Sequence, residues 1–315
     1  MDTYELRRPR VEDAQEIFEL AAACTVESIG FADVTLDDIA DELVEPGFDR
    51  ERDGWLAWRD GTLVAWAWAC RKGDSDNVDI EVLVRPGTPD DLAPRLWELV
   101  LGRAREIAAE LGHDSVTTDI GIYRPDTAQR ELAARHGFAP ATSFHRMRID
   151  FTGPVEAPEL PAGLTLHRGE SEEVLREAHR VQQEAFAEHF GFVKTSFEEW
   201  FARRDASAST DWSQALLARI DGEPAALVIG TDQFAEDEDC GYVLTLAVRP
   251  AYRGRGLGRF LLRTAFAEDH ARGRKGTLLH VDSNNTTPAL GLYTSAGMRP
   301  VLVIDVWRLS LKVRT

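Results

Sequence analysis

A chain of 315 residues is about twice the length of a common domain, so two domains are the expectation, each large enough to bury a core. With 43% hydrophobic and 29% charged residues and no low-complexity tract, it reads as a folded globular protein and not as a disordered one. A net charge of -18, from 54 acidic and 36 basic side chains, disfavours nucleic acid as a partner, because that affinity rests on neutralising phosphates.

From the N-terminus, Glu5 to Arg8 forms a short strand, followed by helical segments and then two strands meeting at Asp60-Gly61, a dipeptide that favours a tight hairpin. The longest apolar run, Leu63 to Cys70, is far short of the roughly 18 residues a membrane helix needs, and the chain is charged from Asp2 onward, so no membrane segment or signal peptide is expected. A β-rich run from Val78 to Val84 ends in Val-Arg-Pro; a long helix, a strand at Val116 to Ile120, another helix and a final pair of strands follow.

The stretch FTGPVEAPELPAG, residues 151–163, then interrupts all periodicity with three prolines and two glycines, as a linker does. After it the order repeats: a strand at Thr165 to Arg168, helices, a hairpin at Asp221-Gly222, a strand at Tyr242 to Val248, a long helix, a strand at Thr277 to Val281, a helix and final strands. Short words recur as well, AWRDG at 57–61 as ARIDG at 218–222 and LVRP at 83–86 as AVRP at 247–250, with an offset of about 160. The expected fold is mixed α/β, one architecture written twice: residues 1–152, a linker over 153–163, and residues 164–315.

The acidity is uneven: residues 1–158 carry 32 acidic and 17 basic side chains, whereas 159–315 carry 22 and 19. Three scattered cysteines, Cys24, Cys70 and Cys240, form no CxxC pair, so neither a disulfide framework nor a metal site is expected, and a reducing cytoplasm fits.

Positive charge gathers in the second half, in RPAYRGRGLGRFLL, residues 249–262. Pro250 ends a buried strand, and Leu257, Phe260, Leu261, Thr264 and Ala265 follow the spacing of one helix face, so RGRGLG lies at a strand-to-helix junction. The first turn of a helix has N–H groups without intrahelical partners and the positive end of the macrodipole. Gly254, Gly256 and Gly258 lack the Cβ that would hold an anion away, and Arg253, Arg255 and Arg259 add forked donors, so a pyrophosphate is the natural occupant. A Walker A loop is excluded because no Lys-Ser or Lys-Thr follows, and a Rossmann turn because Arg259 stands where its third glycine belongs.

Arg253-Gly254-Arg255-Gly256-Leu257-Gly258 resembles the R-x-x-G-x-G signature of the GNAT superfamily of acyl-CoA N-acyltransferases. LAVRPAYRGRGLGRFLL resembles that family's fourth strand and third helix, and VDSNNTTPALGLYTSAGM its fifth strand and fourth helix; the likeness covers most of 161–315. It implies that acetyl-CoA is the acyl donor, that Leu246, Ala247 and Val248 lie along the pantetheine, that the loop from Arg253 through Leu257 to Arg259 takes the diphosphate, and that Asn285 assists. It also implies that the Leu246 N–H faces the thioester carbonyl and that Tyr293 protonates the leaving sulfur.

The base is open. Tyr242 stands where tandem members of the family have Glu, while Glu238 and Asp239, just before that strand, are candidates acting through water. Glu184 and His189, in QEAFAEHFGF, lie in the region the family uses for acceptors. His280 reads as a satisfied core residue. Expected partners are a small-molecule amine, with no nucleic acid and no membrane, in a monomer or homodimer; an acyl-CoA sensor without turnover and a nucleotide-binding regulatory domain are the competing classes.

In the first half the chemistry is missing. Laying Pro86 over Pro250 puts Pro89, Asp90, Asp91, Leu92 and Pro94 opposite Arg253, Gly254, Arg255, Gly256 and Gly258, and laying His136-Gly137-Phe138 over Ala296-Gly297-Met298 puts Ala133 opposite Tyr293. Carboxylates there repel a diphosphate. Thr88, Pro89 and Asp91 further read as a self-capped helix start. The first half is expected not to bind CoA.

Overall fold

The computed structural model describes residues 4–283 and 289–313. Two compact units emerge, one of Met1–Thr142 with Ile304–Thr315, the other Ser143–Val303. These are not the consecutive halves 1–152 and 164–315. The last strand of the chain supplies the first unit, and a strand that precedes the proline-rich linker supplies the second.

The first unit contains β1 (Glu5–Arg7), α1 (Ala14–Ile29), α2 (Leu36–Val44), α3 (Arg50–Asp53), β2 (Gly54–Arg59), β3 (Thr62–Arg71), β4 (Asn77–Val84), α4 (Leu92–Glu110), β5 (Ser115–Tyr123) and α5 (Thr127–Arg135). Its sheet runs β1-β2-β3-β4-β5 and is completed by the end of the chain's last strand, whose Ile304 to Lys312 pair antiparallel with Tyr123 to Ser115. One face packs against α4 through Trp97, Leu96 and Val100; the other packs against α1 and α2 through Ile17, Leu20, Ile39, Leu43 and Trp66.

In chain order the structure continues with β6 (Ala139–Asp150), β7 (Leu164–Arg168), α6 (Glu172–Ala185), α7 (Phe197–Asp205), β8 (Ala215–Ile220), β9 (Glu223–Thr231), β10 (Cys240–Val248), α8 (Leu257–Ala271), β11 (Gly276–Asp282), α9 (Ala289–Ser295) and β12 (Arg299–Lys312). The sheet of the second unit has the order β6-β11-β10-β9-β8-β7. Leu261, Leu262 and Phe266 of α8 cover one face, and Leu175, Val181 and Trp200 of α6 and α7 cover the other. The architecture is mixed α/β in each unit, as expected from the sequence.

Both hairpins form at the Asp-Gly dipeptides, with φ of 51° and 77° at Asp60 and Gly61 and 52° and 85° at Asp221 and Gly222; two successive positive φ values match the twist of the flanking strands. Two expectations need correction. Each half ends in one long strand, β6 or β12, and not in a pair. The helix after Pro89 starts only at Leu92, where Asp91 makes no capping bond; its carboxylate instead accepts from the Tyr4 hydroxyl at 3.1 Å. Thr88 lies before the helix, its N–H donating to the Arg85 carbonyl.

Candidate functional site

The site begins with a break in the sheet of the second unit. β10 and β11 run parallel and pair from Cys240–Gly276 to Val243–Leu279, then stop, although β10 continues to Val248 and β11 to Asp282. At the same place the register of β10 against β9 slips between Val243 and Thr245, leaving Leu244 as an extra residue. Such a bulge bends its strand, which parts β10 from β11.

Past the break, the Arg249 N–H donates to Ala225 across the β9 side. Groups two residues apart share a direction on a strand, so the N–H and C=O of Leu246 and Val248 face the opposite edge, which β11 has left. That edge lines a cleft of about 400 Å³, together with the turn after β10, β11, α9 and the segment after α6.

The turn carries the anion-binding geometry. Gly254 and Gly256 have φ of 76° and 79°, the left-handed region that favours glycine, and a Cβ on either would meet open space. Gly256 caps α8 without any side-chain bond, so the first-turn N–H groups stay uncovered, and among the described residues those of Gly254, Arg255 and Gly256 have no protein acceptor. Arg253 is anchored by its guanidinium to the carbonyls of Val248 and Ala185 at 3.2 and 3.1 Å, and Arg259 to the Ser295 hydroxyl at 2.7 Å. Arg255 lies 5.3 Å over the Tyr252 ring. A diphosphate fits this frame of bare amides and prepositioned cations.

Tyr293 of α9 lines the cleft and is 8% exposed; burial pushes its phenol up to about 12, so it stays protonated and able to donate. Its counterpart in the first unit is Ala133: the carbonyls of both residues accept from the residue five positions on, Met298 or Phe138, at 3.0 and 3.1 Å. The sequence correspondence is therefore also a correspondence of backbone position. Asn285 lies outside the described residues.

The four base and acceptor candidates separate. His189 lines the cleft, tilted on Phe186 with ring centroids 4.4 Å apart, and burial lowers its pKa from 6.5, followed by the field of Arg253; Asp282 opposes the drop. Glu184 does not line the cleft and is ion-paired to Arg249 at 2.7 Å. Glu238 lies against Arg148 and Arg146, away from the cleft lining. Asp239 is paired with Lys275 at 2.6 Å, which lowers its pKa, and has φ of 56° in the turn before β10. Glu184, Glu238 and Asp239 are thus ion-paired and outside the cleft lining.

Tyr242 is also outside the lining. Its hydroxyl meets His280 Nδ1 at 2.9 Å, and Arg146 Nε–H donates to His280 Nε2 at 3.2 Å. Because Nε2 accepts, Nδ1 carries the imidazole proton and donates to Tyr242. Burial, and next Arg146, lower the His280 pKa to about 4. His280 reaches the cleft wall but both ring nitrogens are spent.

Phe186, Tyr252 and Leu292 are among several wall residues outside the sequence candidates, and three more come from the end of β11, the bulge and β6. Asp282 ends β11, Leu244 is the bulge residue, and Phe144 comes from β6, before the linker. Asp282 closes the visible HVD word; Phe144 leaves no local signal.

The equivalent opening in the first unit offers less free strand edge. β4 and β5 pair only from Asn77–Thr117 to Asp79–Asp119 and then part. The Val82 carbonyl, whose offset matches Leu246, is already taken by Gln129 Nε2 at 3.0 Å, and Gln129 is held in turn by Asp126 at 2.9 Å.

The Acetyltransferase (GNAT) family model matches residues 174–298. A mycothiol acetyltransferase of Thermobispora bispora is 34% identical over 180 residues, 54% of this chain and 58% of that one. The enzyme of the same name from Rhodococcus erythropolis is 31% identical over 66% of this chain and 73% of its own length. Among solved structures, a GCN5-related N-acetyltransferase from Sphaerobacter thermophilus superposes with a TM-score of 0.81 at 25% identity, over 99% of this chain and 97% of that one. The glycine-rich turn, the parted strands and the buried tyrosine thus occur in a chain that belongs to the GNAT acetyltransferase family.

Proposed function

We propose that this chain acetylates a primary amine of a small molecule by direct attack on acetyl-CoA, with both substrates held together in the cleft of the second unit. The observation that carries this reading is the convergence, on one cleft, of the uncovered amides at α8, the open edge of β10 and Tyr293. As a GNAT acetyltransferase the chain uses acetyl-CoA, which when bound supplies an acyl thioester.

Each part of this chain then has a task. The amides of Gly254 to Gly258, with Arg255 and Arg259, hold the diphosphate. The Leu246 N–H faces the thioester carbonyl as it gains negative charge. Tyr293 delivers a proton or hydrogen bond to sulfur as the thiolate leaves. His189, neutral at pH 7 because burial depresses its pKa, accepts the proton of the attacking amine.

His189→Gln is expected to lower kcat/KM by roughly 10²-fold. In the wild-type enzyme the acid limb of the pH profile falls below 6.5, where His189 becomes protonated, and the variant loses that limb. A profile unchanged by the substitution assigns the base elsewhere.

The first unit acts as a support that does not bind CoA. The shared name of these relatives, mycothiol acetyltransferase, makes mycothiol-related amines the first acceptors to assay. Thiol release from acetyl-CoA against an amine library tests turnover; binding without release in every case would leave a sensor.

A further inference from the structure

The first unit holds its own cavity of about 300 Å³, in the opening where β4 leaves β5. Strand alternation sets Trp66 and Trp68 of β3 on one face, with Glu81 of β4 directly across from Trp68. α1 and α2 cover this face and bring Glu42 to the cavity. The lining contains four carboxylates, Asp33, Glu42, Glu81 and Asp126, and no Lys, Arg or His.

Two of the four are engaged: Asp33 accepts from the Tyr123 hydroxyl at 2.8 Å, and Asp126 caps α5. Trp66 is 1% exposed, and its indole lies beside Glu42. Aromatic walls and two carboxylates with no cation in the lining describe a binding site missing its positive partner.

We propose that this cavity binds a small organic ammonium ion, its charge between Glu42 and Glu81 and its carbon body against Trp66 and Trp68. The cleft that holds an anionic donor in one unit thus holds a cation in the other.

The cavity without a ligand is electrostatically uncomfortable. Although Glu42 keeps exposed surface, desolvation by the surrounding elements, then the field of Asp38 and of Glu45 just past the helix, pushes its pKa upward, against Trp66. Burial, then Glu42, Asp126 of the α5 cap and Asp79 of its own strand, pushes Glu81 up to about 8, against a backbone hydrogen bond at Val82. Cys24 of α1 faces Glu81, and its thiol, raised to about 12 by burial and next by Glu81, against the field of Arg85, stays neutral. A bound cation favours both ionised carboxylates, so binding releases protons near pH 7 and strengthens as pH rises toward 8.5, while an alkylammonium with a pKa of about 10 keeps its charge.

The test is titration calorimetry of the full chain with phenethylammonium and its neutral counterpart 2-phenylethanol. Expected are one ammonium per chain, affinity at least 10-fold higher at pH 8.5 than at pH 6, heats at pH 7 that depend on buffer ionisation, and no measurable alcohol binding. Glu81→Gln should weaken the ammonium at least 10-fold and Glu42→Gln similarly, both variants keeping the wild-type circular dichroism spectrum, whereas Tyr293→Phe leaves the affinity intact. Equal binding of the alcohol, or an affinity within twofold of wild type in both glutamine variants, overturns the proposal and leaves the transferase reading untouched.

Discussion

Replacing Tyr293 with phenylalanine is expected to lower kcat by about 10²-fold, roughly 2.7 kcal/mol of transition-state stabilisation, while the KM for acetyl-CoA stays within twofold. The ring is packed against the α8 core at 8% exposure, and phenylalanine keeps that packing, so only the hydroxyl is removed. Because burial holds the phenol near 12, no alkaline limb from Tyr293 enters the profile between pH 6 and 9. Steady-state thiol release across that range checks both statements. Unchanged turnover would show that sulfur leaves without help from this residue.

The second large effect concerns the phosphate turn. The double variant Gly254→Asp with Arg255→Asp writes the first half's Asp90-Asp91 into the second, and is expected to weaken acetyl-CoA at least 100-fold, roughly 2.7 kcal/mol. It replaces a cation with two carboxylates where a diphosphate should sit. Folding should survive. A Cβ at Gly254 meets nothing within 4 Å, and aspartate already occupies positive φ at Asp60, Asp221 and Asp239 in this chain. The melting temperature should therefore remain within a few degrees of wild type. Calorimetry on the unmodified chain should find one acetyl-CoA per molecule; two would mean that the first unit binds the donor despite Asp90, Asp91 and Gln129.

What could be read locally was read well. An Asp-Gly pair needs only its own backbone preferences to make a hairpin, and both hairpins stand where the dipeptides are. The strand, glycine-rich turn and amphipathic helix from Tyr242 to Ala271 are likewise contiguous, so their order along the chain is their order in space. Which of the base candidates stands in the cleft was not legible in this way. Glu238 finds Arg148, 90 residues away, and Glu184 finds Arg249, 65 residues away, and neither pairing leaves any trace in the neighbourhood of the carboxylate. His189 reaches the cleft because the segment after α6 folds over Phe186, a packing choice that periodicity does not encode.

By itself, then, the order of residues determined the repeated α/β pattern, the glycine-rich turn at Gly254 to Gly258 and the contrast between Tyr293 and Ala133, because each depends on backbone preference and spacing over a few residues. Tertiary structure alone decided that β6 joins the second unit and the end of β12 the first, that Phe144 lines the cleft, and that Glu42 meets Glu81 in a second cavity. The physical reason is that a strand edge offers the same N–H and C=O groups to any partner, and a carboxylate the same field to any neighbour. Which partner is taken depends on the apolar faces that must be buried at the same time, a condition set by the whole folded chain.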